Sequence, residues 1–200
     1  MKFLKENSYD IVRLFINQVG ITIFALVLYT AVGFVEDAQL SRSIKVALSL
    51  FATLFYFVLI YTASWEYGAK DKVRIDTGKM RDDRLKGFKL GILANLLNII
   101  FAIASVLTLG IYMSSGSEGL FSAFGIINMF MRFIMAMYIG MLQGIFSPWN
   151  STETQNLYFL GQSIGYIVFP FIAAGVVVFG YAMGKMNKRI IPSSKPTIIK

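Results

Sequence analysis

The sequence predicts an all-α membrane protein, a compact helical bundle built from five hydrophobic segments. Its composition is 56% hydrophobic and only 15% charged. The apolar residues form runs of about 20 residues or more, which is the length that a helix needs to cross a bilayer. A water-soluble core does not need runs of that length. The pattern therefore predicts a single transmembrane domain over 1–184, followed by a basic tail over 185–200.

The first hydrophobic segment spans about 14–35 and follows a basic start with Lys2 and Lys5. A cleaved signal peptide would have an apolar region of about 7–15 residues, so we expect an uncleaved first helix instead. The second span covers about 44–64 and carries almost nothing polar in its middle. Trp65 directly follows it, as is typical where a helix leaves the bilayer.

The segment 65–89 organises the rest of the chain because it holds eight Lys and Arg and five Asp and Glu. A charge at the bilayer centre costs about 2.5–3.5 kcal/mol, so this segment is expected to be a loop outside the lipid. Its basic excess predicts a cytoplasmic position. Its cations are the expected contacts for anionic lipid headgroups or for a cytoplasmic protein partner: Lys70, Lys72, Arg74, Lys79, Arg81, Arg84 and Lys86.

The third span, about 90–113, carries a stripe of small and polar residues at helical spacing. Asn95 and Asn98 lie in this stripe, between Gly91 and Ala102. Small residues allow close approach of helices in a membrane, and amides form hydrogen bonds between them. The stripe is therefore expected to face protein or a wet cavity rather than lipid.

The fourth segment, 120–146, is strongly apolar but contains Arg132 near its centre. As one helix it would place Asn128, Arg132 and Gln143 on a common face. A charged residue inside a membrane is a functional candidate. The alternative is structural, because a guanidinium also finds hydrogen-bond partners by extending to water or to backbone carbonyls. The candidate substrate-binding residues are Arg132, Asn95, Asn98, Asn128 and Gln143.

The last span, about 157–183, contains two GxxxG spacings, Gly161 with Gly165 and Gly180 with Gly184, which favour close helix crossing. The basic tail that follows it favours the cytoplasmic side. If both this tail and 65–89 are cytoplasmic, the fourth segment does not cross and is re-entrant or interfacial. Its length of 27 residues is nevertheless enough to cross as a fifth span. We favour the version that does not cross.

The chain has no Cys and no His, which excludes thiolate nucleophiles, imidazole bases and metal sites built from nitrogen or sulfur. We expect no enzyme activity and no cofactor, and we attribute the net charge of +8 to lipid-facing loops rather than to nucleic-acid binding. The first functional hypothesis is a non-catalytic membrane subunit, either homo-oligomeric or bound to a protein partner. The alternative is a transport component for a small polar or anionic solute. The expected location is a bacterial plasma membrane.

Overall fold

The computed structural model describes residues 2–146 and 152–190, and within these ranges the chain folds into seven helices. They are α1 (Lys2–Val32), α2 (Ala38–Asp76), α3 (Lys86–Ala94), α4 (Leu96–Ser115), α5 (Glu118–Ile134), α6 (Ala136–Ile145) and α7 (Thr152–Lys185). Among the described residues, α1, α2, α4 and α7 are long and apolar enough to cross a membrane. The predicted all-α bundle is confirmed. Large apolar side chains are exposed on its outside, which is the surface that lipid would cover.

The second helix is longer than its hydrophobic part, which corrects the prediction that 65–89 is a loop throughout. Helix α2 continues through the charged stretch to Asp76, where Lys72 forms an ion pair with Asp76 on the helix surface. The helix ends at Thr77, and Gly78 follows with a positive φ of 70°. Hydropathy marks where the lipid-compatible part of a helix stops, whereas the backbone hydrogen bonds continue beyond it.

The predicted third span is also interrupted, because α3 and α4 meet at Asn95. The amide nitrogen of the Asn95 side chain donates to the carbonyl of Gly91 at 3.0 Å, so the side chain satisfies a backbone group beside the break. Gly91 packs directly on Ala174 of α7, and a Cβ added there would lie 2.8 Å from the Ala174 Cα. Close contact with α7 therefore holds α3 in place.

The fourth hydrophobic segment forms a bent pair, with α5 and α6 at 113° to each other across Met135. The carbonyls of Gln143 and Gly144, at the end of α6, accept hydrogen bonds from Arg42, near the start of α2. Helix α5 begins beside the end of α4, with only two residues between them. Since α2 and α4 run in opposite directions, both ends of the pair lie at one end of the bundle. The pair therefore forms a hairpin, which is the geometry that the version without a crossing requires.

Helix α7 packs against α2 through glycines, as the GxxxG spacing predicts. A Cβ at Gly180 would lie 2.7 Å from the carbonyl oxygen of Tyr61, and one at Gly184 would overlap the carbonyl of Trp65. The other GxxxG pair contacts the end of α6, where Gly161 packs on Phe146 and Gly165 packs on Leu142. These small-residue faces are therefore used within the chain.

The opposite end of the bundle, which we call the basic end, gathers charged groups from α1, α2, α3, α7 and the 77–85 connection. Arg13 pairs with Glu66, and Lys185 pairs with Asp82. The guanidinium of Arg189 lies 3.7 Å from the ring centroid of Trp65. The end of α7 and the segment 65–89 therefore lie together, as the distribution of basic residues predicts. The rest of the predicted tail, 191–200, is outside the described residues.

Candidate functional site

The turn of the hairpin is held by hydroxyl groups from α1 and α2. The Thr22 hydroxyl donates to the carbonyl of Ile134 at 3.0 Å. The Ser49 hydroxyl donates to the carbonyl of Met137 at 2.5 Å and accepts from the backbone N–H of Met141 at 3.1 Å. Ile134 is the last residue of α5, so its carbonyl is left without a helical partner at the break, and Thr22 satisfies it. Ser49 instead attaches the first part of α6 to α2.

Helix α5 packs mainly on α4, and it approaches α7 at the aromatic side chains near its own start. The rings of Phe124 and Phe159 meet edge-on with centroids 5.5 Å apart. Asn128 lies four residues after Phe124 and Gln162 lies three residues after Phe159, so both come about one helical turn beyond this ring contact. After another turn Arg132 reaches the level of Tyr166. The charge of Arg132 acts on the Tyr166 hydroxyl, which agrees with this register.

These four side chains, Asn128, Arg132, Gln162 and Tyr166, are called here the α5–α7 polar cluster. Five of their buried polar atoms have no hydrogen-bond partner among the described residues: Asn128 Nδ2, Arg132 Nε, Gln162 Nε2, Gln162 Oε1 and the Tyr166 hydroxyl. Gln162 and Tyr166 are both fully buried. Leaving a buried polar group without a partner costs about 1–3 kcal/mol each, so a group of five is unusual for a packing interface.

Arg132 provides the positive charge of this cluster. Among the side chains that the structure describes, no carboxylate forms an ion pair with it. It lies in the last turn of α5, where the free carbonyls of a helix end favour a cation. The helix end balances part of the charge, and the remainder is available to an anion or to a polar solute.

Two of the five predicted binding residues, Arg132 and Asn128, lie together in this cluster. Asn98 instead donates to the Gln18 side chain at 2.9 Å and to Asn95 at 3.3 Å, which forms a separate buried amide group between α1 and α4. Asn98 Oδ1 has no partner of its own. Gln18 precedes Thr22 by one helical turn, so this amide group lies about one turn from the hairpin turn.

The placing of Gln143 with Arg132 is wrong. The prediction assumed one continuous helix, but the bend at Met135 turns α6 away, and Gln143 lies eight residues beyond it, about 12 Å along the helix. There the carbonyl of Gln143 accepts a hydrogen bond from Arg42 at 3.1 Å.

Sequence reasoning missed Gln162 and Tyr166, and it also missed the buried hydroxyls of Ser49 and Thr53 in the supposedly apolar second span. A signal was present for Gln162, because an amide inside an apolar run needs a protein partner or water. Its position next to Gly161 in a GxxxG pair made the region look like packing alone.

At the basic end, the predicted contact residues divide into two groups. Six are exposed: Lys70, Lys72, Arg74, Lys79, Arg81 and Arg84. Lys86 is buried, and its ammonium lies 2.7 Å from the carboxylate of Asp71, which also accepts a hydrogen bond from Tyr181. Lys86 is therefore a structural link between α2, α3 and α7, unlike the six exposed cations.

Comparison of the chain with known protein families, with curated proteins and with solved structures finds no match.

Proposed function

We propose that this integral membrane protein admits a small anionic or polar solute to its interior and carries it across the bilayer. In this proposal the α5–α7 polar cluster is the binding site, and Arg132 selects for negative charge. No catalytic chemistry is involved. The basic end faces the cytosol of a bacterial cell, in accordance with the distribution of positive charge.

The observation that carries the proposal is the set of five buried polar atoms that have no partner within the part of the chain that the structure describes. In the interior of a membrane protein each such atom is costly, and a polar solute or water that enters the cluster would satisfy several of them together. Asn128 and Arg132 offer donors, and Gln162 offers both a donor and an acceptor. A donor-rich site around one guanidinium suits an anion.

The hairpin supports the same conclusion. Broken helices at membrane depth are tolerated where they are buried in protein or line a wet cavity, and transporters place binding sites at such breaks. Here the break at Met135 lies three residues from Arg132. The break therefore brings a helix end and a cation together inside the bundle.

Cysteine accessibility tests the proposal directly because the chain has no Cys of its own. We expect Asn128→Cys and Gln162→Cys to react with a small water-soluble thiosulfonate reagent. The fully buried Ala102→Cys is the control for a dry interior, and the exposed Ile126→Cys is the control for a lipid-facing position. Reactivity at position 128 no greater than at position 102 would contradict the proposal.

Charge selection is measured in the same variants by comparing a sulfonate reagent with a trimethylammonium reagent. The sulfonate should react faster at position 128, and Arg132→Gln should remove that preference while Arg132→Lys keeps it. In proteoliposomes, entry of nitrate, formate or phosphate should fall to the protein-free level in Arg132→Gln. Equal flux for wild type and Arg132→Gln, from a protein that stays monodisperse, would refute the role of Arg132.

The exposed cations of the basic end favour a second candidate function, a subunit that docks a cytoplasmic protein partner. Replacing all six exposed cations by Gln should release a partner that co-purifies with the wild type in mild detergent. Assembly through the glycine faces is not part of this proposal, because those faces pack within the chain. Purification of the wild type as a stable single component would count against it.

A further inference from the structure

We propose that a pocket at the basic end binds the phosphate headgroup of an anionic phospholipid. This site is separate from the α5–α7 polar cluster and does not depend on solute transport.

The pocket is formed by the start of α1, the end of α2, the 77–85 connection and the start of α3. It has a volume of about 480 Å³, which is within the range of small-molecule sites. Its lining residues are Phe3, Glu6, Asn7, Arg74, Lys79, Met80, Arg81, Asp83 and Lys86. Four are cationic and two are carboxylates, so the lining carries an excess of two positive charges.

Part of this charge is already committed within the chain. Lys86 pairs with Asp71, and Asp83 pairs with Lys89 at 2.8 Å. The hydrogen bond from Lys89 lowers the pKa of the Asp83 carboxyl, which keeps that carboxyl charged and paired at neutral pH. These pairs fix the walls of the pocket and leave its remaining cations to act on a ligand.

Arg74, Lys79 and Arg81 are the cations that remain. All three are exposed, and within residues 2–146 and 152–190 none of them takes part in an ion pair. Arginine forks and lysine ammonium groups are the usual protein partners of phosphate oxygens. These three cations come from two different segments and surround one pocket, which suits a single compact anion.

The position of the pocket indicates a lipid as the source of that anion. Leu4 and Leu85 are large, exposed apolar side chains adjacent in sequence to lining residues, and the exposed Phe88 lies two residues after Lys86. Phe3 forms part of the wall, and the centroid of its ring lies 5.3 Å from the ammonium nitrogen of Lys89. A ligand with a phosphate next to acyl chains matches this combination of cations and exposed apolar groups at the membrane boundary.

The test counts bound lipid by native mass spectrometry after exchange from mixed phosphatidylglycerol and phosphatidylcholine micelles. Wild type should retain phosphatidylglycerol in preference to phosphatidylcholine. The pocket variant Lys79→Gln/Arg81→Gln should bind it about thirtyfold more weakly, since each basic residue near a lipid surface contributes about fivefold. The control variant Lys72→Gln/Arg84→Gln loses the same charge from exposed positions outside the pocket and should bind like wild type.

Three results would overturn the proposal. Equal losses in the two double variants would mean that the attraction is spread over the basic surface. A wild type without preference for phosphatidylglycerol would mean that the pocket does not recognise its headgroup, and this result does not depend on how any variant folds. If soluble glycerol phosphate at the same concentration competed fully, the ligand would be a free anion rather than a lipid. Failure here leaves the Arg132 proposal intact, because no measurement involves residue 128 or 132.

Discussion

Removing one partner of the buried ion pair between Asp71 and Lys86 should destabilise the basic end far more than removing one partner of an exposed pair of equal length. The two side chains are only 5% and 9% exposed, and their charged atoms are 2.7 Å apart. The exposed pair Lys72–Asp76 has nearly the same separation, 2.8 Å, but its side chains are 48% and 55% exposed. Burial is therefore the main difference between the pairs.

Replacing Lys86 by Met leaves the Asp71 carboxylate buried, and among the described side chains the hydroxyl of Tyr181 is then its one hydrogen-bond donor. Removing one partner of a buried pair costs about 3–5 kcal/mol. Lys72→Met removes an exposed pair worth about 0–1 kcal/mol and serves as the matched control. Replacing both buried partners, as Asp71→Leu/Lys86→Met, should recover much of the loss because no charge is left buried.

The free energy of unfolding is measured by denaturant titration in a mild detergent for the wild type, the two single Met variants and the double variant. Asp71→Leu alone is measured as well, because it completes the double-mutant cycle. Recovery in the double variant requires a coupling energy between positions 71 and 86 that exceeds the loss caused by Asp71→Leu alone. If the double variant loses the sum of the two single losses, or if Lys72→Met is as costly as Lys86→Met, the buried pair does not link these helices.

Two further predictions concern packing inside the membrane domain. Gly184→Ala should lower the free energy of unfolding by about 1–3 kcal/mol because its Cβ would overlap the Trp65 carbonyl. Gly175→Ala, where nothing lies within 4 Å, should be neutral or stabilising, and the same sign for both in a detergent melt would contradict the packing argument. Ser49→Ala should cost about 1–3 kcal/mol because it removes the hydroxyl that contacts two backbone groups of α6. Thr62→Ala, whose hydroxyl bonds only within its own helix turn, should cost much less in the same melt.

Sequence reasoning recovers the parts of the fold that depend on hydropathy and local spacing. The length of the apolar runs predicts the membrane-spanning helices. The distribution of basic residues predicts that the end of α7 and the segment 65–89 lie at the same end of the bundle. The GxxxG spacing of Gly180 and Gly184 predicts close packing, and α2 is the helix that it contacts. Each of these depends on residues near one another in the chain, which a single sequence reveals.

The bend at Met135 could not be read from the chain, because no Pro or Gly stands at the break. It depends on distant segments, since the Thr22 hydroxyl satisfies the interrupted backbone and Ser49 attaches α6 to α2. The register of α5 against α7 is likewise tertiary, so Asn128 and Arg132 were found while Gln162 and Tyr166 were not. The wrong position of Gln143 has the same origin.

The central claim is that the α5–α6 hairpin enters and leaves the membrane on one side, with the start of α1 and the end of α7 on the other. Single cysteines at Ser117 and Ile145, next to the two ends of the hairpin, and at Lys79 and Met186, at the basic end, test it in intact cells; all four positions are exposed. An impermeant maleimide should label positions 117 and 145 from outside, and positions 79 and 186 only after the membrane is opened. External labelling at 186, or labelling of 117 and 145 from opposite sides, would contradict the account.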